Sequence, residues 1–327
     1  MTKMTQTTQT TQTTQTTQQD KLAPVEEPAA DFVLDLLAEL RARHFRPRGW
    51  LRFFGRSWQR SQATASAHPR LVASWARVGG ALACAEAAAL ALEARLGARA
   101  GVRRAIAWTA VCCAAAQLDT YVHLGLHQPR RGEPLYPTLG GATALTLARR
   151  GIAGMFVGQL LGGRRLPRGL ALALLAAASA SDVADGALAR RQRRVSRLGA
   201  YLDGVADFEL GAALTLTLAA ERRLPRWLAV LLLARWVGPL AFTLASYFGA
   251  GSRVALDSTA IGKAAGVAQA VTLGAALMPA TSGSMLPRAR GALCVATAVL
   301  LVAAPLSQLI RVLGGRSRGA TPQWRQA

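Results

Sequence analysis

The residues best suited to chemistry are concentrated between positions 182 and 207. They follow the pattern DxxDGxxAR, eight residues, GxxxDxxxD, with almost wholly apolar runs at 170–180 and 210–220. Ionisable groups inside apolar segments of this length indicate a functional site, because charge is costly to bury in a membrane. The pattern therefore predicts a site where two membrane helices meet. Its four acidic residues are Asp182, Asp185, Asp203 and Asp207.

The spacing places the four carboxylates on facing helix surfaces. Asp182, Asp185 and Ala189 recur at steps of three and four, as do Gly199 and the later aspartate pair. Each set therefore lies on one face of its own helix. A turn over residues 191–198 would bring the two pairs together. Clustered carboxylates repel one another and favour hard divalent cations, Mg²⁺ or Mn²⁺, as their neutralising partner.

The small residues of the pattern suit a bulky ligand. Gly186, Ala189 and Gly199 would let a planar or phosphorylated molecule approach the backbone. Arg190 is placed to hold a phosphate through charge-assisted hydrogen bonds. The alternative is that the aspartates form salt bridges with the arginines of the same turn on a solvated membrane face. That reading accounts for one or two of the four aspartates.

The whole pattern resembles the signature of the CDP-alcohol phosphotransferase family, integral membrane enzymes of phospholipid synthesis, and every motif position matches. The resemblance implies a six-helix core, two divalent metal ions, and transfer of a phosphatidyl or similar group from a CDP-linked donor to an alcohol with release of CMP. It implies that Asp207 is the general base. It also implies metal ligation by Asp182, Asp185, Asp203 and Asp207, and a CDP site lined by Gly186, Ala189, Arg190 and Gly199.

Three further cations are weaker candidates for contacts with a phosphate or with the acceptor. Thr146 and Arg149 are similar to the family's first-helix entry, although Ala142 and Thr143 replace its usual Pro-Asn. Arg149 is therefore a candidate on a partial match.

Arg235 and Lys263 are the other two candidate cations. Arg235 lies within an apolar run, and Lys263 belongs to a Ser, Gly-Lys, Gln stretch that resembles phosphatidylglycerophosphate synthases within the family. Such side chains often extend to the membrane interface instead, where the charge is hydrated. In those synthases a Glu follows the arginine, whereas Trp236 stands there in this chain.

Composition places these segments in a membrane protein. The 327 residues are 51% hydrophobic, with a net charge of +22. Arginines between apolar runs suit anionic headgroups and a CDP-bearing donor, and nothing resembles a basic nucleic-acid-binding domain. We predict an all-α polytopic protein whose six-helix core follows two additional membrane helices. The predicted regions are a disordered Thr/Gln-rich tail (1–30), a basic amphipathic interfacial segment (31–68), the two additional helices (69–135), the core (136–314) and a basic tail (315–327).

Two features outside the core leave alternatives open. The interfacial segment alternates arginines with aromatic residues, a composition that would also suit a partner-protein surface. His123 and His127 are four residues apart and could hold a metal on one helix face, although a hydrogen-bonding role at the interface is the stronger interpretation.

The sequence thus predicts an enzyme that transfers a phosphatidyl group from CDP-diacylglycerol to a small polar alcohol. Glycerol 3-phosphate is the leading acceptor, with inositol, inositol phosphate or serine behind it. A transporter or ion-binding scaffold is the rival class, but an ion pathway has no need of Arg190 beside its carboxylates. The distribution of arginines favours a bacterial cytoplasmic membrane with the site facing the cytoplasm, and the family resemblance suggests a homodimer.

Overall fold

The fold is all-helical throughout the residues that the structure describes. This computed structural model describes residues 29–96, 101–130, 132–250, 259–278 and 286–316. Their helices are α1 (Ala29–Ala42), α2 (Pro47–Ala67), α3 (Pro69–Leu96), α4 (Val102–Val122), a short 3₁₀ helix (Leu124–Leu126), α5 (Gly141–Leu161), α6 (Arg168–Arg191), α7 (Arg197–Ala220), α8 (Arg226–Ala250), α9 (Ala260–Leu277) and α10 (Leu286–Arg316).

The described residues up to Phe53 belong to a compact unit of their own. Within it, Leu36 and Leu40 of α1 are buried, and Glu39 pairs with Arg43 at 3.0 Å. The Thr/Gln-rich tail lies outside the described residues, and the interfacial role of segment 31–68 stays a prediction.

Within the described residues, six helices are long and apolar enough to cross a membrane, which confirms the predicted polytopic class. They cover Pro69–Leu92, Val102–Val122, Arg168–Arg191, Arg226–Phe248, Ala260–Leu277 and Arg288–Gln308. The first two correspond to the additional helices expected before the core. Helices α5 and α7 are not among the six. Both carry charged side chains in mid-helix, Arg149 and Arg150 on α5 and three acidic residues on α7.

Helix α5 is the central element of the larger unit. It packs against α4, α6 and α7, so its side chains are surrounded on several faces. Phe156 is fully buried in the main apolar cluster, with Leu214 and Leu218 of α7 and Leu228 of α8. This burial of large apolar side chains holds α5 in place and fixes the direction of its two mid-helix arginines.

A tight turn joins α6 to α7, as the sequence predicted. Arg193 adopts a φ of 50°, which reverses the chain direction after α6. Ser196 then caps α7: its hydroxyl oxygen accepts a hydrogen bond from the backbone N–H of Gly199 at 3.0 Å. The cap satisfies one of the free donors at the start of the helix. The turn and the cap together set the register of the two aspartate pairs.

Candidate active site

The aspartates of α6 and α7 come together as the helical spacing predicted. One carboxylate oxygen from each of Asp182, Asp185 and Asp203 lies within 4.8 Å of the others. Asp185 is buried, whereas the side chains of Asp182, Asp203 and Asp207 are 46–49% exposed. The cluster therefore has a closed inner end at Asp185 and an open outer end that a soluble group can reach.

Arg149 lies in the middle of this cluster. Its guanidinium donates hydrogen bonds to all four carboxylates: Nη1 to Asp182 and to Asp207 at 2.7 Å, and Nη2 to Asp185 at 2.8 Å and Asp203 at 2.7 Å. The arginine side chain is only 1% exposed. Four carboxylates this close together require positive charge, and α5 supplies one unit of it. The sequence analysis had instead assigned Arg149 to a phosphate or acceptor, and that role stays a prediction.

Thr146 holds the inner end of the cluster from the same face of α5. Its hydroxyl donates a hydrogen bond to the Asp185 carboxylate at 2.9 Å. Because Thr146 and Arg149 are three residues apart, both project towards α6 from one side of the helix. The partial match at the start of the core therefore marks two residues that contact the aspartates.

The donor set fits a hard divalent cation. Three converging carboxylates supply the oxygen ligands that Mg²⁺ and Mn²⁺ prefer, and their half-exposed members leave room for water or phosphate oxygens. The same oxygens accept hydrogen bonds from Arg149, so a divalent ion and the guanidinium compete for them.

The residues expected around CDP lie on the α6–α7 hairpin beside the cluster. The Arg190 guanidinium folds back over Gly186, and a Cβ added to Gly186 would meet its Nη1 at 3.2 Å. Ala189 is partly buried on the same helix. Gly199 sits in the first turn of α7, where its N–H is held by the Ser196 cap. Their roles in binding CDP stay predictions.

A group of donors lies one helical turn beyond Asp207, around Gly211. The Arg235 guanidinium donates to the side-chain oxygen of Gln269 at 3.1 Å and stacks over the ring of Trp236 at 5.2 Å. A Cβ added to Gly211 would meet Gln269 Nε2 and Trp236 Nε1, each at 3.3 Å. Trp236 Nε1 is buried and lacks a hydrogen-bond partner within the described residues.

Lys263 lies in the first turn of α9, the helix that also carries Gln269. Its side chain is exposed, and Thr259 caps the helix by accepting from the N–H of Gly262 at 2.9 Å. Arg235 also donates to the carbonyl of Gly262 at 3.3 Å, which connects α8 to this helix start.

The sequence analysis missed a second charged group, formed by Asp119, Arg150, Tyr201 and Glu209. Arg150 pairs with Glu209 and with Asp119. The available signal was the presence of charge inside apolar segments, since such groups need partners. Spacing along one helix cannot identify those partners, because they come from three different helices.

The two histidines make hydrogen bonds, in keeping with the stronger of their two interpretations. His127 Nε2 donates to the carbonyl of Thr138 at 3.0 Å, and His123 Nδ1 lies 2.8 Å from the carbonyl of Asp119. The alternative for the aspartates, salt bridges to the arginines of the turn, finds no support in the described part of the chain, where their ion pairs run to Arg149.

Comparison with known proteins finds one family and two relatives. The model of the CDP-alcohol phosphatidyltransferase family matches residues 141–307, just over half of the chain. The chain is also similar to the probable phosphatidylglycerophosphate synthases of two Mycobacterium tuberculosis strains, CDC 1551/Oshkosh and ATCC 25618/H37Rv. Each is 31% identical over 172 residues, which span 52% of this chain and 76% of the relative. No solved structure matches the chain significantly.

Proposed function

This chain belongs to the CDP-alcohol phosphatidyltransferase family, and from that premise we propose that it transfers the phosphatidyl group of CDP-diacylglycerol to glycerol 3-phosphate. The reaction releases CMP and forms a new phosphodiester. The observation that carries the proposal is the group of four aspartates on the α6–α7 hairpin, with donors for an anionic acceptor one turn away.

The aspartate cluster is the proposed metal site. Asp182, Asp185, Asp203 and Asp207 would hold two divalent ions, Mg²⁺ or Mn²⁺, in place of the hydrogen bonds to Arg149. When bound, such ions neutralise a diphosphate and stabilise CMP as it leaves. The open outer end of the cluster supports this role, because the diphosphate must approach from the aqueous side.

The hairpin residues would hold the donor. Arg190 lies over Gly186, where its guanidinium can turn towards a phosphate and donate two parallel hydrogen bonds. The absence of side chains at Gly186 and Gly199 leaves the backbone accessible to a ligand of nucleotide size, with Ala189 adding little bulk between them.

Asp207 is the proposed general base. Its side chain is half-exposed, so it can reach the hydroxyl of an acceptor. Accepting that proton would raise the nucleophilicity of the attacking oxygen as the new bond to phosphorus forms. The donors around Gly211 lie one turn further along the same face of α7, which would place the acceptor between them and Asp207.

The character of these donors favours an acceptor that carries a phosphate. Arg235 brings a positive charge, while Gln269 Nε2 and Trp236 Nε1 are N–H groups directed at the space over Gly211. Arg235 already occupies the oxygen of Gln269, which leaves the amide nitrogen to donate. Three donors, one of them a guanidinium, suit glycerol 3-phosphate better than inositol or serine. Lys263, exposed at the start of α9, is a further candidate for this phosphate.

The membrane placement follows from the same chemistry. CMP and glycerol 3-phosphate are soluble molecules of the cytoplasm. The excess of arginines on the side of the hairpin predicts that it faces the cytoplasm of a bacterial cell. We propose this orientation together with a homodimeric assembly, which rests on the family resemblance alone.

The test is release of labelled CMP from CDP-diacylglycerol by the purified full-length protein with Mn²⁺ or Mg²⁺. Glycerol 3-phosphate, inositol, inositol phosphate and serine are offered separately, and the lipid product is identified by mass spectrometry. We expect release with glycerol 3-phosphate alone, and its loss in Asp207→Asn. Arg235→Gln should raise the KM for glycerol 3-phosphate about 10- to 100-fold, because a charge-assisted contact is worth about 1.5–3 kcal/mol.

A matched arginine variant controls for nonspecific loss of charge. Arg168→Gln removes an exposed arginine at the start of α6 and should leave the KM unchanged. Release driven by an uncharged alcohol would contradict the proposed acceptor. A protein that binds Mn²⁺ but releases no CMP with any alcohol would instead favour an ion-handling role.

A further inference from the structure

A second buried charge network lies beside the aspartate cluster and joins three helices. Arg150 of α5 donates through Nε and Nη2 to both carboxylate oxygens of Glu209 on α7, at 2.8 and 2.7 Å. Through Nη1 it also donates to Asp119 of α4 at 2.8 Å. The Arg150 side chain is 3% exposed, so water does not reach its charge and the two acidic partners neutralise it.

Asp119 ties this network to α7 a second time. Its other carboxylate oxygen accepts a hydrogen bond from the hydroxyl of Tyr201 at 2.8 Å. The ring of Tyr201 in turn packs against His123, with 4.3 Å between centroids. A single carboxylate of α4 therefore restrains α5 through Arg150 and α7 through Tyr201.

The residues that Asp119 restrains are next to the proposed metal ligands. Arg150 follows Arg149, which contacts all four aspartates. Tyr201 and Glu209 flank Asp203 and Asp207 on α7. Because a helix backbone is stiff over two residues, fixing these neighbours fixes the direction from which the ligands approach one another.

Close packing makes α4 a rigid support for this contact. Helix α5 presents glycines to α4, and a Cβ added to Gly154 would meet Cys112 Cβ at 3.1 Å. A Cβ added to Gly158 would meet the carbonyl oxygen of Ala105 at 2.6 Å. The two backbones therefore approach closely, as small residues allow at membrane helix interfaces.

We propose that Asp119 is a positioning residue for the proposed active site, supplied by a helix that precedes the part of the chain matched by the family. By holding Arg150 and Tyr201, it fixes α7 against α5, so that Asp203 and Asp207 stay in the position at which they bind a divalent ion together with the aspartates of α6. This inference rests on the proposed metal-binding role of the cluster.

The experiment measures Mn²⁺ affinity in full-length protein, by electron paramagnetic resonance of the free ion, for wild type, Asp119→Asn and Asp119→Glu. Residues that support metal ligands indirectly change affinity about 10- to 100-fold, and we expect a loss near the lower end of that range for Asp119→Asn. Asp119→Glu keeps the charge and should recover part of the affinity. In the transfer assay, the decrease in kcat should be larger than any change in KM.

The matched control is Thr120→Val. Thr120 is the next residue of α4 and fully buried, and its hydroxyl donates only within the helix, to the carbonyl of Ala116 at 2.8 Å. This variant should bind Mn²⁺ as wild type does. If Asp119→Asn lowers the thermal unfolding midpoint but leaves Mn²⁺ affinity unchanged, the residue is only structural and the inference is overturned.

Three other outcomes are distinguishable. If Asp119→Asn does not fold, Tyr201→Phe tests the same connection by removing one hydroxyl while keeping the ring. Weaker Mn²⁺ binding then supports the inference, and unchanged binding overturns it.

If wild-type protein binds no Mn²⁺, this inference fails together with the proposed metal site. If wild type binds Mn²⁺ but transfers no phosphatidyl group, the proposed reaction fails while the affinity comparison still decides the role of Asp119.

Discussion

A divalent ion at the aspartate cluster would compete with Arg149 for the same carboxylate oxygens, so the effect of removing Arg149 on metal affinity has a predictable sign. Its guanidinium donates to all four aspartates from a position that is 1% exposed. Replacing it with glutamine removes the competing charge. We therefore expect Arg149→Gln to bind Mn²⁺ more tightly than wild type, even though the substitution lies in the centre of the site.

The size of the gain follows from the hydrogen bonds that the ion displaces. A hydrogen bond to a charged group contributes about 1.5–3 kcal/mol. An ion held by three carboxylates takes the place of at least two such bonds, but three of the aspartates are 46–49% exposed, so we use the lower end of the range. A total of about 3 kcal/mol corresponds to roughly 100-fold in affinity.

The assay is titration with Mn²⁺, followed by electron paramagnetic resonance of the free ion and by the unfolding midpoint at each concentration. Without metal, Arg149→Gln should be less stable than wild type, because clustered carboxylates then repel one another without compensation. Saturating Mn²⁺ should restore much of that loss.

A second arginine of the site controls for the general effect of charge. Arg190→Gln removes one positive charge close to the cluster, but the Arg190 guanidinium lies over Gly186 rather than among the carboxylates. Its gain in Mn²⁺ affinity should be much smaller. Equal or weaker Mn²⁺ binding by Arg149→Gln would refute the competition.

Three more outcomes are expected. Chelation with EDTA should stop CMP release and added Mn²⁺ or Mg²⁺ should restore it; release that continues in EDTA would exclude a metal-dependent reaction. Gly158→Ala should lower stability by about 1–3 kcal/mol, because its Cβ would overlap Thr109 of α4, whereas Gly291→Ala adds its methyl group in open space; equal unfolding midpoints would contradict the packing. Burial lowers the pKa of His127 below its ordinary 6.5, so folding favours the neutral ring. The stability present above pH 6.5 should therefore be lost as the pH falls towards the folded-state pKa. His127→Gln should flatten that loss when the unfolding midpoint is measured against pH, and an unchanged dependence on pH would contradict it.

The sequence predicted the parts of the fold that depend on local pattern. Apolar runs indicated the membrane helices, and steps of three and four placed Asp182 with Asp185 and Asp203 with Asp207 on their respective faces. The turn between α6 and α7 followed from the run of arginines that separates them. These features depend on residues close together in the chain.

The sequence could not predict how the helices are rotated against one another. Arg149 was interpreted as a contact for phosphate or acceptor, because the facing surface of α6 cannot be read from α5 alone. Asp119, Arg150 and Glu209 are isolated charges in the sequence, since their ion-pair partners are 31 or 59 residues away in the chain. The Ser196 cap was not predicted, although a Ser immediately before an apolar helix is a common N-cap signal.

The close contact between α4 and α5 bears on how the chain enters the membrane during synthesis. Helix α5 carries two adjacent arginines and is not among the helices apolar enough to cross alone. Helix α4 is made first, is apolar enough to cross, and offers both a face for the glycines of α5 and the carboxylate of Asp119 for Arg150. We therefore expect the two helices to partition into the bilayer as a hairpin, with one arginine neutralised before α6 and α7 emerge from the ribosome. A gene fragment that starts at α5 would lack this insertion partner, although it would encode every aspartate of the site.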